Sequence, residues 1–266
     1  MAERPDAPRQ VPFRGGGFHY VPRKALPWIA FAAILVLWQV LSDAGAIRPT
    51  HLPSLKSVAL ALWDLIESGR ILAHVGWSLQ RILAGWAIGT AAGLAIGTAM
   101  GIFSMARSLG LPFVSALFPI PKIALLPLLI LWLGIGEPSK IAVIALGVFF
   151  PTVIAAYTAC DSVPRNLIRM GQSFGLPGRM IVREILLPGA MPGILSGFRI
   201  TASIALILVV AAEMIGADRG IGAFILSTGH LMQTDQLLAG VVVLSALGVL
   251  IGVGLGRLEA WVLRWR

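Results

Sequence analysis

Residues 81–103 read RILAGWAIGTAAGLAIGTAMGIF, and glycine returns at every fourth position: Gly85, Gly89, Gly93, Gly97 and Gly101. Apart from Arg81 the stretch carries no charge. Roughly 20 apolar residues are what an α-helix needs to cross the ~30 Å hydrocarbon layer of a bilayer. Residues four apart share one helix face, so five glycines in register make a flat strip along which a second helix can come close. The stretch is read as a membrane span built to pack against another span.

Outward from this stretch lie five more apolar runs: Pro27–Ile47, Leu111–Leu133, Ile141–Cys160, Pro192–Ile215 and Leu237–Leu255. Of the 266 residues 57% are apolar and only 12% charged, where a soluble domain carries about a quarter charged. The expected fold class is an all-α membrane protein with six transmembrane helices over residues 27–266. Residues 1–26, polar and rich in Pro, Gly and Arg, are read as a disordered basic arm. The run Trp28–Leu41 is followed by Ala44-Gly45-Ala46, which has the look of a signal cleavage site. The polar stretch before it is long for a signal peptide, so an uncleaved first helix is expected. Asp43 makes this span the weakest. Between the first two spans Val58, Leu62, Leu65 and Ile66 recur at helical spacing with Asp64 and Glu67 off that face, the pattern of an amphipathic helix at the membrane surface.

Lys and Arg set the orientation. The N-terminal arm, the loop after the second span, the segment after the fourth and the C-terminal tail hold thirteen, and the opposite loops hold five. Arg81, Lys122 and Arg199 fall within the nominal spans. Positive residues gather on the cytoplasmic side, so both termini are expected there, in the inner membrane. The net charge of +9 lies between hydrophobic runs rather than on one polar domain, which argues against nucleic acid as a partner. Trp261 and Trp265 in the basic tail suit the membrane interface.

The third span is interrupted by Pro119, Pro121 and Pro127. Proline removes a helix donor, and freed carbonyls inside a bilayer are tolerated only against protein or a water-lined cavity. Pro121, Lys122 and Pro127 are therefore candidates for the translocation path. Lys122 is either a functional charge at depth or, if the span starts later, a side chain reaching back to the cytoplasmic interface.

No G-x-x-x-x-G-K-[ST] phosphate loop occurs, so a transport cycle would need an energy source on another chain. His19, His51, His74 and His230 are scattered, with no metal-ligand spacing, and His230 reads as an exposed loop residue. Cys160, the single cysteine, reads as a buried small hydrophobe. Glu137, Glu213 and Asp218 fall in external segments and look structural or docking-related. The chain is not expected to be an enzyme.

The longest cytoplasmic segment, about 161–191, runs DSVPRNLIRMGQSFGLPGRMIVREILLPGAM. Pro164 opens a short helix to Phe174, with Leu167, Met170 and Phe174 on one face. Gly175 stops it, and a second short helix over Pro177–Leu187 is closed by Pro188. Such an apolar patch ringed by arginines suits docking into a groove on a partner. Gly175, nine residues, Ile185, one residue and Leu187-Pro188 match the "EAA" cytoplasmic loop of ATP-binding cassette (ABC) importer permeases. The stretches Pro119–Tyr157, Ala212–Ile225 and Thr234–Val243 resemble the nitrate/sulfonate/taurine branch of that family, and the likeness covers most of the chain after about Pro49. The chain departs from the pattern at Arg169-Met170-Gly171, where the family has Glu-Ala-Ala. Glycine at 171 also weakens a helix by about 1 kcal/mol relative to alanine.

The resemblance implies a type I ABC importer permease fold. It also implies Pro164, Leu167, Met170, Gly171, Phe174, Gly175, Ile185, Leu187 and Pro188 as the ATPase-coupling residues. Its partners would be two ATPase subunits that bind the ATP, a periplasmic substrate-binding protein and a second copy of this chain as a homodimer. The permease would hold no cofactor or metal of its own. The competing class is an ion-gradient-driven secondary transporter. That class places ionisable residues inside its spans, and Lys122 is the one residue expected at depth here.

Overall fold

The computed structural model describes residues 25–45, 47–48 and 50–265. All but the last two residues of the expected N-terminal arm lie outside that range. Among the described residues every regular element is helical. The chain divides between Ser57 and Val58 into two compact units.

In the first unit α1 covers Leu26–Asp43. The chain beyond it is held by Trp38 Nε1 donating to the carbonyl of Pro53 at 2.9 Å and by the Leu55 N–H donating to Gln39 Oε1 at 3.0 Å. Asp43, the charge that weakens this span, accepts from the Gln39 amide at 2.8 and 2.9 Å.

In the second unit follow α2 (Leu55–Glu67, which begins just before the division), α3 (Arg70–Ile102), α4 (Ser104–Leu117) and α5 (Leu126–Leu133). Then come α6 (Glu137–Asp161), α7 (Arg165–Ser173), α8 (Gly178–Ile181), α9 (Leu187–Gly216), α10 (Ile221–His230) and α11 (Thr234–Val262). Among the described residues five helices are long and apolar enough to cross a bilayer, and α4 with residues 122–133 passes the same measure as a pair bent by 84°.

The glycine strip of α3 does what its spacing foretells. A Cβ at Gly85 would lie 2.6 Å from Ile144 Cγ2, at Gly93 2.7 Å from Thr152 Cβ, and at Gly97 2.5 Å from the carbonyl of Val153. At Gly89 it would fall on the carbonyl of Ala145 and at Gly101 on Cys160 Cβ. All five thus face α6. The other side of α6 meets α9, where Gly193 and Gly197 lie against Ala159 and Ala155. So α6 runs between α3 and α9, around a core that includes Val143, Ile144, Val148, Ala205 and Val209. Cys160 is buried, as expected.

Two expectations about element limits are corrected. The fifth span is longer: helix continues from Gly178 to Gly216, 39 residues, past Pro188 and Pro192. A single π-helical turn at Val182–Leu186, in which the Leu187 N–H donates to the carbonyl of Val182, shifts the ladder just before Pro188. The missing donor of Pro188 follows directly on this widened turn, and Pro192 lies inside α9. In the third span Pro119 and Pro121 lie in the break, which bends by 84°. Pro127 stands in the first turn of α5 and begins a helix rather than interrupting one. In addition, α2 buries Val58, Ala61 and Leu65 against Ile71, Phe224 and Ala239, while Leu60, Trp63 and Ile66 stay exposed.

Candidate functional site

Three polar features stand out on this frame. The first is α7. Pro164 precedes it in extended backbone and Gly175 closes it at φ +69°, a conformation that disfavours any side chain. The Gly175 N–H donates to the carbonyl of Gln172 and the Leu176 N–H to that of Gly171, at 2.9 and 3.1 Å, the paired bonds of a Schellman turn. The residues singled out in the sequence divide into two sets. Leu167, Met170 and Phe174 are 40, 51 and 77% exposed, flanked by the exposed Arg165 and Arg169. Gly171 is buried, and a Cβ there would come 2.9 Å from Ile185 Cδ1. The flexible end of Ile185 thus stands where an alanine at 171 would place its methyl group. Leu187 and Pro188 are half-buried in the first turn of α9, and Ile168 packs on the cluster of Ala190 and Ile194. The helix is pinned on one side and offers three large apolar side chains on the other.

The second feature is the elbow. Lys122 Nζ donates to the carbonyls of Leu117 and Ile120, each at 2.7 Å, and of Phe118 at 3.2 Å. It also stands 4.6 Å from the centre of the Phe150 ring on α6. These carbonyls, at the end of α4 and in the proline break, have lost the helix donors that would have followed. Lys122 supplies donors there and leaves a positive group at the bend. Pro121 lies beside it and Pro127 one turn further on.

The third feature was not foreseen from the sequence. Arg81 on α3 is 2% exposed. Its Nε and NH2 donate to the two oxygens of Glu137 at 2.6 and 2.7 Å, at the first turn of α6. Its NH1 donates to Glu213 Oε1 on α9 at 2.7 Å and to the carbonyl of Arg219 at 2.6 Å. Glu213, 1% exposed, also accepts from Ser78 Oγ and from the Gly222 N–H, both at 2.8 Å. Gly220, at φ +125°, leaves the space that this carboxylate fills. Lys122 is thus not the sole ionisable residue within the helices. Counting about 20 residues back from Ile102 places Arg81 at the outer edge of the span. A second pair, Arg107–Asp161 at 3.2 Å, lies at the inner end of α6.

The family model for the binding-protein-dependent transport system inner membrane component matches residues 89–265. The chain belongs to this family of ABC importer permeases. The permease is 35% identical over 242 residues to the putative aliphatic sulfonates transport permease protein SsuC of Escherichia coli (strain K12), across 91% of this chain and 92% of that one. It is 33% identical to the taurine transport system permease protein TauC of the same strain, across 88% and 87%. Its fold is similar to that in the MetNI methionine ABC transporter, solved in inward facing conformations. The TM-score is 0.62 at 24% identity, covering 72% of this chain and 95% of that one. The permease is a multi-pass transport subunit and not an enzyme, and its family implies an ATPase and a binding protein as partners.

The permease's Arg81 cluster left little trace in the sequence, because its members are 56 and 132 positions apart. The available signal was the sign and place of each charge. An arginine at the outer edge of one span and two glutamates at the outer edges of others had nowhere dry to go but to each other.

Proposed function

We propose that two copies of this permease form the pathway of an importer for small sulfonate or taurine-like anions in the bacterial inner membrane. Two ATPase subunits bind the ATP, and a periplasmic protein delivers the solute. The observation that carries this reading is the exposed Leu167–Met170–Phe174 face on a helix otherwise fixed to its own protein. An unpartnered apolar face of this kind fits a groove. The names of the relatives support the solute class.

The geometry gives a route for mechanical work. Force on α7 passes through Gly171, Ile185 and Ile168 into the continuous helix of α8 and α9. From there it reaches α6 through the close contacts at Gly193 and Gly197. With the outer ends of α3, α6 and α9 tied at Arg81, an inner-end push becomes a tilt between two discrete arrangements. The elbow then moves with Phe150, and the charge of Lys122 favours an anion passing Pro121 and Pro127.

The test reconstitutes the permease with its ATPase and binding protein and compares wild type with Leu167→Asp and Phe174→Asp. Both positions are exposed, so the variants fold and insert. Uptake falls at least about tenfold, as losing a buried interface anchor of about 2 kcal/mol requires, and ATP hydrolysis no longer responds to the loaded binding protein. Unchanged uptake in both variants refutes the docking assignment.

A further inference from the structure

The outer side of the permease holds a second polar site that neither α7 nor the elbow uses. A cavity of about 240 Å³ opens between the outer ends of α3, α6 and α9, lined by Trp77, Arg81, Glu137, Lys140, Asp218 and Arg219 among others. It is smaller than the roughly 300 Å³ at which sites for drug-sized ligands begin, so it suits a solute of a few heavy atoms.

The groups in this cavity are unequally satisfied. Arg81 spends its donors on Glu137, Glu213 and the carbonyl of Arg219, and the two oxygens of Glu137 are both taken by Arg81. Lys140 is different. It is 6% exposed, yet its ammonium, with three donors, makes one hydrogen bond among the described residues, to the carbonyl of Gly136 at 3.1 Å. A charge so withdrawn from water is normally fully hydrogen-bonded. Arg219 is exposed, has no carboxylate at ion-pair distance among the described residues, and stands 5.6 Å from the centre of the Trp77 ring. Asp218 next to it is exposed and free of ion pairs in the same sense.

We propose that this cavity binds the sulfonate group of the solute at the outer mouth of the permease. Lys140 Nζ and the Arg219 guanidinium donate to the sulfonate oxygens beside the Trp77 indole. Asp218 accepts from the amino group of a solute that carries one. The solute class rests on the transport reading given above, but the site rests on the unused donors of Lys140 and Arg219 around a concave space. Its consequence is that the permease itself selects for an oxyanion, in addition to whatever its binding protein selects.

The experiment uses the complete permease–ATPase complex in nanodiscs, without nucleotide or binding protein, and measures equilibrium binding of radiolabelled taurine and of ethanesulfonate. Both bind saturably, and uncharged dimethyl sulfone does not compete. Arg219→Gln, at an exposed position whose backbone carbonyl still receives Arg81, weakens binding by about tenfold or more, the scale of one charge-assisted hydrogen bond. Lys140→Met does the same and Lys140→Arg restores most of it. Three results overturn the site: no saturable binding, binding indifferent to both substitutions, or loss of affinity for the binding protein in these variants with sulfonate binding intact. Energised uptake of the same solutes, measured alongside, separates the two readings. Uptake without binding removes the cavity alone, and binding without uptake removes the transport reading alone.

Discussion

Replacing Arg81 with methionine is the most informative perturbation of the fold. The guanidinium makes two bonds to Glu137 and one to Glu213, all between 2.6 and 2.7 Å. The two acids differ in what they suffer when it goes. Glu137 is 37% exposed in its side chain and is hydrated on release. Glu213 has no exposed side-chain surface and keeps only Ser78 Oγ and the Gly222 N–H as donors. Removing one partner of a buried pair costs about 3–5 kcal/mol, because a charge is left uncompensated. Nearly all of that cost should fall on Glu213. Adding Glu213→Gln removes the charge and keeps an acceptor for Ser78 and Gly222. The double variant is therefore expected to regain about 2 kcal/mol, leaving mainly the weaker hydrogen bonding of a neutral group. Equilibrium unfolding in mixed micelles gives the double-mutant cycle. The reasoning is refuted if the double variant is as unstable as the sum of the two single ones, since Glu213 would then not be the site of the penalty.

Three further expectations follow from close contacts. Gly97→Leu forces α3 away from the carbonyl of Val153, 2.5 Å from any Cβ; it should cost about 1–3 kcal/mol in the same unfolding assay, whereas Gly76→Ala, with nothing within 4 Å, should be neutral or stabilising. Gly171→Ala sets about 1 kcal/mol of helix propensity against a 2.9 Å approach to the flexible end of Ile185. The two nearly cancel, so melting and uptake should change little, while Gly171→Phe should abolish uptake. Lys122→Met strips donors from the carbonyls of Leu117, Phe118 and Ile120 and should lower energised uptake by about tenfold, equivalent to one charged hydrogen bond. Lys122→Arg should keep part of the activity, and complex formation with the ATPase should be unchanged.

What the sequence disclosed and what it hid have physical reasons. The packing face of α3 was readable, though not that α6 would fill it, because close packing of membrane helices needs small residues and the five glycines declared their face by spacing alone. The limits of α7 were readable because Pro164 and Gly175 act locally. The course of α9 was not: proline reads as a break, yet the helix runs on past Pro188, with a π-helical turn just before it, and past Pro192. Among Pro119, Pro121 and Pro127, Pro127 passes for a break because a proline in a first turn looks the same in sequence as one that interrupts a helix. The Arg81 cluster was hidden because pairing across three helices depends on tertiary proximity, and burial in protein removes the usual objection to charge within a span.

If the apolar face of α7 meets an ATPase subunit, contact at that face can be measured directly. With cysteine placed at Phe174, 77% exposed, a short thiol cross-linker added to the resting complex should join the permease to its ATPase subunit in high yield. Cysteine at Arg107, on α4 at the same inner side, should give little product. The reverse pattern, with position 107 cross-linking and position 174 remaining free, would contradict the assignment of α7 as the coupling helix.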